Sequence, residues 1–149
     1  MPQSGSQVSD LAHVIQLAVA PVFLLTGIGP TLAVLTNRLA RIVDRARTLE
    51  RLHVDAAPIE EGSLHGQLLT LRRRAQLINR AITLCTSCAL LICVVIATLF
   101  VGALVGVSLG KLIAVLFLLG MATLIGGFVT FLQEVFLATA SLRIGPGPH

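Results

Sequence analysis

Three long runs of this chain contain no Asp, Glu, Lys or Arg: Leu11–Asn37, Ala81–Gly110 and Leu112–Gln133. No other feature limits the possible folds so strongly. Each run exceeds the ~20 residues that a helix needs to cross a hydrocarbon core. Hydrophobic residues make up 55% of the sequence and charged residues 12%, with a mean hydropathy of +0.91. A soluble domain of 149 residues cannot hide that much apolar surface. The runs therefore predict an all-α membrane protein with three transmembrane helices, the first two extended into a cytosolic antiparallel helical hairpin. The expected layout is a single integral membrane domain over 1–149. It has an external tail (1–10), a first span (11–37), a cytosolic helical hairpin (38–80), a second span (81–106), a third span (111–133) and a cytosolic tail (134–149). Ala18-Val19-Ala20 mimics a signal-cleavage site, but no Lys or Arg precedes it, so the first helix is expected to be retained.

The charges set the expected orientation. Nine of the 11 basic residues lie between Arg38 and Arg80; the exceptions are Lys111 and Arg143. Short basic loops stay in the cytoplasm, which places the N-terminus outside, residues 38–80 inside and the C-terminus inside. In a soluble chain a net charge of +4 raises nucleic acid as a partner. Here no aromatic residues interleave with the arginines to stack on bases, so topology explains the charge and no nucleic-acid partner is expected.

Ile28, Leu32, Leu35, Leu39, Ile42, Ala46 and Leu49 repeat in steps of four and three, and so do Leu64, Leu68, Leu71, Ala75, Ile78, Ile82 and Cys85. That spacing predicts two coiled-coil seams that zip the first two helices together from membrane into cytosol. HVDAAPIEEGS, residues 53–63, reads as the loop between them, GVSLGK as a tight turn, and GPGPH as an unstructured tail.

Polar residues collect away from the seams. At about 100° per residue, Gln16, Thr26, Pro30, Asn37 and Arg41 share one stripe of the first helix. Pro30 removes a backbone hydrogen bond to the Thr26 carbonyl, and with Gly27 and Gly29 beside it a helix break is expected there. In lipid such a break must face protein or water. Gln76, Asn79, Arg80, Thr83, Thr86 and Ser87 form an arc on the second helix. Gly120, Thr123, Gly127, Thr130, Glu134 and Ser141 form a narrow face on the third. One third helix covers only one of the two outward stripes, so the other is expected to turn toward neighbouring copies in a homo-oligomer. Asn79, Arg80, Thr83 and Glu134 are expected to form an interfacial polar cluster, with Arg80 and Arg38 as the ion-pair partners of Glu134.

Catalytic chemistry is not in evidence in the sequence. Cys85-Thr86-Ser87-Cys88 is a CxxC, but inside a membrane helix near the reducing cytosol it is not expected to cycle as a disulfide. Cys93, His13, His53 and His65 do not complete a metal site, and no cofactor is expected. Glu60 and Glu61 sit in the expected loop and pair with nothing in a cleft.

The stretches VIQLAVAPVFLLTGIGP, LTNRLARIVDRAR, RRRAQLINRAITLCT and FLQEVFLATASLRI are together similar to a family of small bacterial membrane proteins known as domain of unknown function 2721. The likeness covers most of residues 8–144. It implies a three-helix inner-membrane protein, and it implies no activity and no functional residues. The layout alone is also similar to that of proton-driven stator subunits; separately from that likeness, Glu134 is a candidate for a force or proton-coupling role. Two readings of function follow. One is a homo-oligomer enclosing a conduit for ions or small solutes near Thr26, Pro30 and Asn37. The other is a non-conducting adaptor that binds a cytosolic partner or anionic lipid through its arginines, where each basic residue near the surface is worth about 1 kcal/mol.

Overall fold

The structure is a computed structural model that describes residues 3–54 and 61–142. It contains three α-helices, with no strand among the described residues: α1 (Gln3–Val54), α2 (Glu61–Val105) and α3 (Gly110–Leu142). All three are long and apolar enough to cross a membrane. At 1.5 Å per residue the 52 residues of α1 have a contour length of about 78 Å, far beyond the ~30 Å of a hydrocarbon core. Helix therefore continues well past the uncharged run.

The helices overrun several of the expected segments. The segment 1–10, read as a tail, is helical from Gln3. Of the loop expected over 53–63, His53 and Val54 belong to α1 and Glu61, Gly62 and Ser63 to α2. Residues 55–60 lie outside the described residues, as does the GPGPH tail. The third helix runs past Gln133, the expected end of its span, to Leu142, as the shared face of Glu134 and Ser141 requires. The expected break at Thr26–Pro30 is absent as an interruption: α1 is continuous through both Pro21 and Pro30. Each proline deletes one N–H, and the turns on either side keep theirs, so the helix tolerates the loss.

The α2–α3 turn is built as its composition demands. Gly106 has φ 70°, the left-handed conformation that ends a helix at low cost only for glycine. Val107 N–H then donates to the Gly102 carbonyl at 3.2 Å, a six-to-one helix-ending bond, and Ile113 N–H donates to Leu109 at 3.0 Å to start α3.

The chain forms two compact units, each drawing on all three helices. The first comprises Met1–Leu32 and Leu84–Ile125. Its buried hydrophobic residues are Ala18, Ile28, Cys85, Cys88, Ile92, Val95 and Leu124. Gly120 is buried as well, with Ile92 and Leu91 close above its Cα. An apolar groove lined by Leu17, Pro21, Val95, Leu99, Ile113 and Phe117 draws on all three helices. Large apolar side chains such as Phe23 and Leu118 stay about 70% exposed, the surface of a chain surrounded by lipid rather than water.

The second unit comprises Ala33–Thr83 and Gly126–His149. Its apolar core is Leu35, Ile42, Leu71, Ile78 and Ala81. The first four are seam positions, and Leu39, Ala46, Leu68 and Ala75 between them are half-buried. A seam of this kind buries apolar area at roughly 25 cal/mol per Å².

Candidate functional site

Glu134 is the one charged residue that is buried among the described residues, and its side chain is 1% exposed. A lone carboxylate cannot be held away from water without partners. Glu134 has two. Arg38 of α1 donates from Nη1 to Oε2 at 2.7 Å. Arg74 of α2 donates to Oε1 from Nε at 3.1 Å and from Nη2 at 2.9 Å. These charge-assisted bonds tie all three helices of the second unit to one side chain. Phe131, one turn before Glu134 on α3, lies under the Arg38 guanidinium at 5.2 Å from ring centre to Cζ, a cation–π contact.

The sequence placed Arg38 correctly and misplaced the second cation: Arg74, not Arg80, is the α2 partner. The signal was in the wheel arithmetic. Arg38 stands three residues after Leu35 and four before Ile42, and Arg74 stands three after Leu71 and four before Ile78. Each therefore lies about 60° from one seam residue and about 40° from the other, on the same flank of its helix. Arg80 lies about 180° from Leu71 and is exposed. Depth along the helix drew attention to Arg80; direction around it selects Arg74. Asn79 and Thr83 are likewise exposed, and the Thr83 hydroxyl donates to the Asn79 carbonyl at 2.9 Å. The polar cluster around Glu134 is thus made by Arg38 and Arg74, without Asn79, Arg80 or Thr83.

Gln16, Thr26, Pro30, Asn37 and Arg41 are all exposed. The Thr26 hydroxyl turns back along its own helix to the Phe23 carbonyl at 2.7 Å rather than to the carbonyl that Pro30 leaves open, and Thr31 bonds the Gly27 carbonyl at 3.1 Å. The α3 face behaves oppositely. Gly120, Gly127 and Glu134 are buried, with Thr123 and Thr130 half-buried; the side chain of Ser141 lies outside the described residues. Covering one of the outward stripes was the task expected of α3. Its polar face instead meets the seam flank, and Gln76, Asn79, Arg80, Thr83 and Thr86 of α2 stay exposed along with the α1 stripe.

Cys85 and Cys88 are buried free thiols, and Cys93 is an exposed one. His13 and His65 are exposed. Among the described residues no three His, Cys, Asp or Glu side chains converge.

Three helices of spanning length and apolarity define a multi-pass membrane protein in which the one buried charge among the described residues, Glu134, is paired with arginines from the other two helices. The chain belongs to the family described as Protein of unknown function (DUF2721), whose model matches residues 18–144. No curated protein and no solved structure matches it.

Proposed function

We propose that the chain is a homo-oligomeric protein of the bacterial inner membrane, with its N-terminus outside and its C-terminus cytoplasmic. In this reading the α1 stripe forms the contact between copies and, in a closed ring, lines a conduit for ions or small solutes. One observation carries it: Gln16, Thr26, Pro30, Asn37 and Arg41 are all left exposed while the polar face of α3 is consumed inside the chain. Polar groups left toward lipid are unfavourable, and neighbouring copies or enclosed water remove that cost. The orientation rests on the concentration of arginines between Arg38 and Arg80.

Native mass spectrometry of the protein released from nanodiscs tests the assembly. A ring of four or more copies supports the reading, and a clean monomer removes it. Water-soluble thiol reagents then test the path on Thr26→Cys and Asn37→Cys in a background lacking Cys85, Cys88 and Cys93. Ready labelling in the assembly supports a wet path; complete protection excludes one. The same reagents applied from either side to Ser9→Cys and Glu50→Cys test the orientation.

A second reading has its own observation. Arg41, Arg45, Arg51, Arg72, Arg73 and Arg80 are all exposed, an array suited to an adaptor that docks a cytosolic partner or anionic membrane. Its test is Arg72→Gln with Arg73→Gln, leaving Arg74 alone because Arg74 holds Glu134. Loss of partner capture with the assembly intact favours the adaptor.

A further inference from the structure

The charges in the core of the second unit do not balance. Two guanidiniums converge on one carboxylate, which leaves a surplus positive charge at a partly enclosed position. The hydrogen bonds do not balance either. Each guanidinium carries five N–H donors in a fixed plane, and Glu134 accepts three bonds in all. Phe131 occupies a face of Arg38, and a ring on the face leaves the in-plane donors for other acceptors. These donors are within reach of an incoming group: the Arg38 side chain is 38% exposed and that of Arg74 21%. Arg45 lies two turns along α1, about 20° around from Arg38, and Arg41 lies between them; both are exposed.

We propose that Arg38 and Arg74, held in place by Glu134, bind a phosphate group. The planar forks match phosphate oxygens two at a time, and a phosphate supplies the missing negative charge. The position favours a lipid headgroup as its carrier. Arg38 is the first charge after the run Leu11–Asn37, and Glu134 the first after Leu112–Gln133. That is the level at which a hydrocarbon core gives way to phosphates. The site does not rest on the oligomer reading, since one chain contains all of it.

The test uses the full chain in nanodiscs of phosphatidylcholine alone or mixed with phosphatidylglycerol, with retained lipid counted by native mass spectrometry. The wild type keeps phosphatidylglycerol in preference to phosphatidylcholine. Arg38→Lys keeps the charge but loses the fork, and retention falls about tenfold. Arg47→Gln, on the opposite side of α1, leaves retention unchanged. Glu134→Gln removes the internal competitor, so the folded variant retains more anionic lipid than wild type, which a purely structural role for the cluster does not predict. In a parallel arm, inorganic phosphate is added to protein in phosphatidylcholine nanodiscs. Arg38-dependent uptake there, without phosphatidylglycerol retention, supports the site and assigns it to a soluble phosphate. Equal retention by wild type and Arg38→Lys in both arms overturns the proposal, as does an equal loss in Arg47→Gln. Should Glu134→Gln fail to fold, the contrast between Arg38→Lys and Arg47→Gln decides.

Discussion

The two units use the same three helices and solve the packing problem differently. The first buries small and apolar groups, with Gly120 letting α2 come close to α3. The second has an apolar seam too, but at its centre stands a carboxylate between two arginines. Between membrane helices lipid tails are as apolar as leucine, so the hydrophobic effect selects no particular neighbour. Close approach over glycine is one remedy and a directional ion cluster is another. The first depends on shape and tolerates any change that preserves it. The second depends on charge, and removing one member leaves the others stranded.

The largest expected effect breaks the second unit alone. Glu134→Ala strands two guanidiniums and costs roughly 3–5 kcal/mol, read as reversible unfolding in bicelles. Hydrogen exchange should rise across Ala33–Thr83 and from Gly126 onward, while Leu84–Ile125 keeps its protection. Uniform loss of protection along all three helices shows instead that the two units unfold as one.

The reciprocal change belongs to the first unit. A Cβ at Gly120 would lie 3.4 Å from Ile92 Cδ1 and 3.7 Å from Leu91 Cβ. Alanine therefore fits at ordinary contact distance, and a larger side chain does not. Gly120→Leu is expected to cost about 1–3 kcal/mol by overpacking, with exchange rising between Leu84 and Ile125 and the Glu134 cluster undisturbed. If Gly120→Leu is as stable as Gly120→Ala, the approach of α2 is not what sets this packing.

A smaller effect sharpens the account of the cluster itself. Phe131 supports Arg38 and touches the chemistry only through it. A double-mutant cycle of Phe131→Leu with Arg38→Gln should give a coupling of about 0.5–1 kcal/mol. Coupling near zero reduces Phe131 to ordinary packing.

The contrast also explains what the sequence disclosed. Four of the seam positions were legible: the burial of Leu35, Ile42, Leu71 and Ile78 follows from periodicity alone. The uncharged runs disclosed the three helices for the same reason: length and apolarity are additive along the chain. What composition disclosed poorly were the ends and the pairings. The first charge after an apolar run marks the end of a span but not the end of a helix: with two arginines around Glu134, helix and packing continue to Leu142. Arg80 borders the uncharged run and so invites the pairing, whereas the flank position of Arg74 beside Leu71 and Ile78, which mirrors that of Arg38, decides it. Thr26 to Pro30 suggests a break when one lost hydrogen bond is counted without the intact turns around it. Local rules count deletions well and compensation badly, and compensation is where the site lies.

The smallest change carries the sharpest sign. Gly27 flanks the exposed α1 stripe, and a Cβ added there meets nothing within 4 Å in the single chain. Within a helix interior, alanine in place of glycine is worth about 0.5–1 kcal/mol. For an isolated chain Gly27→Ala should therefore stabilise. A second copy packed on the stripe reverses the outcome, because the methyl then occupies the space through which the neighbouring helix approaches. The helix gains while the assembly weakens, and native mass spectra should shift toward monomer even as the unfolding midpoint of the monomer rises. Stabilisation with an unchanged subunit count places the contact between copies elsewhere than on this face of α1. The buried Gly120 and the open Gly27 are thus opposite cases of one residue type: one already has its neighbour inside the chain, and the other has open space beside it that a second copy fills only if the copies meet on this face.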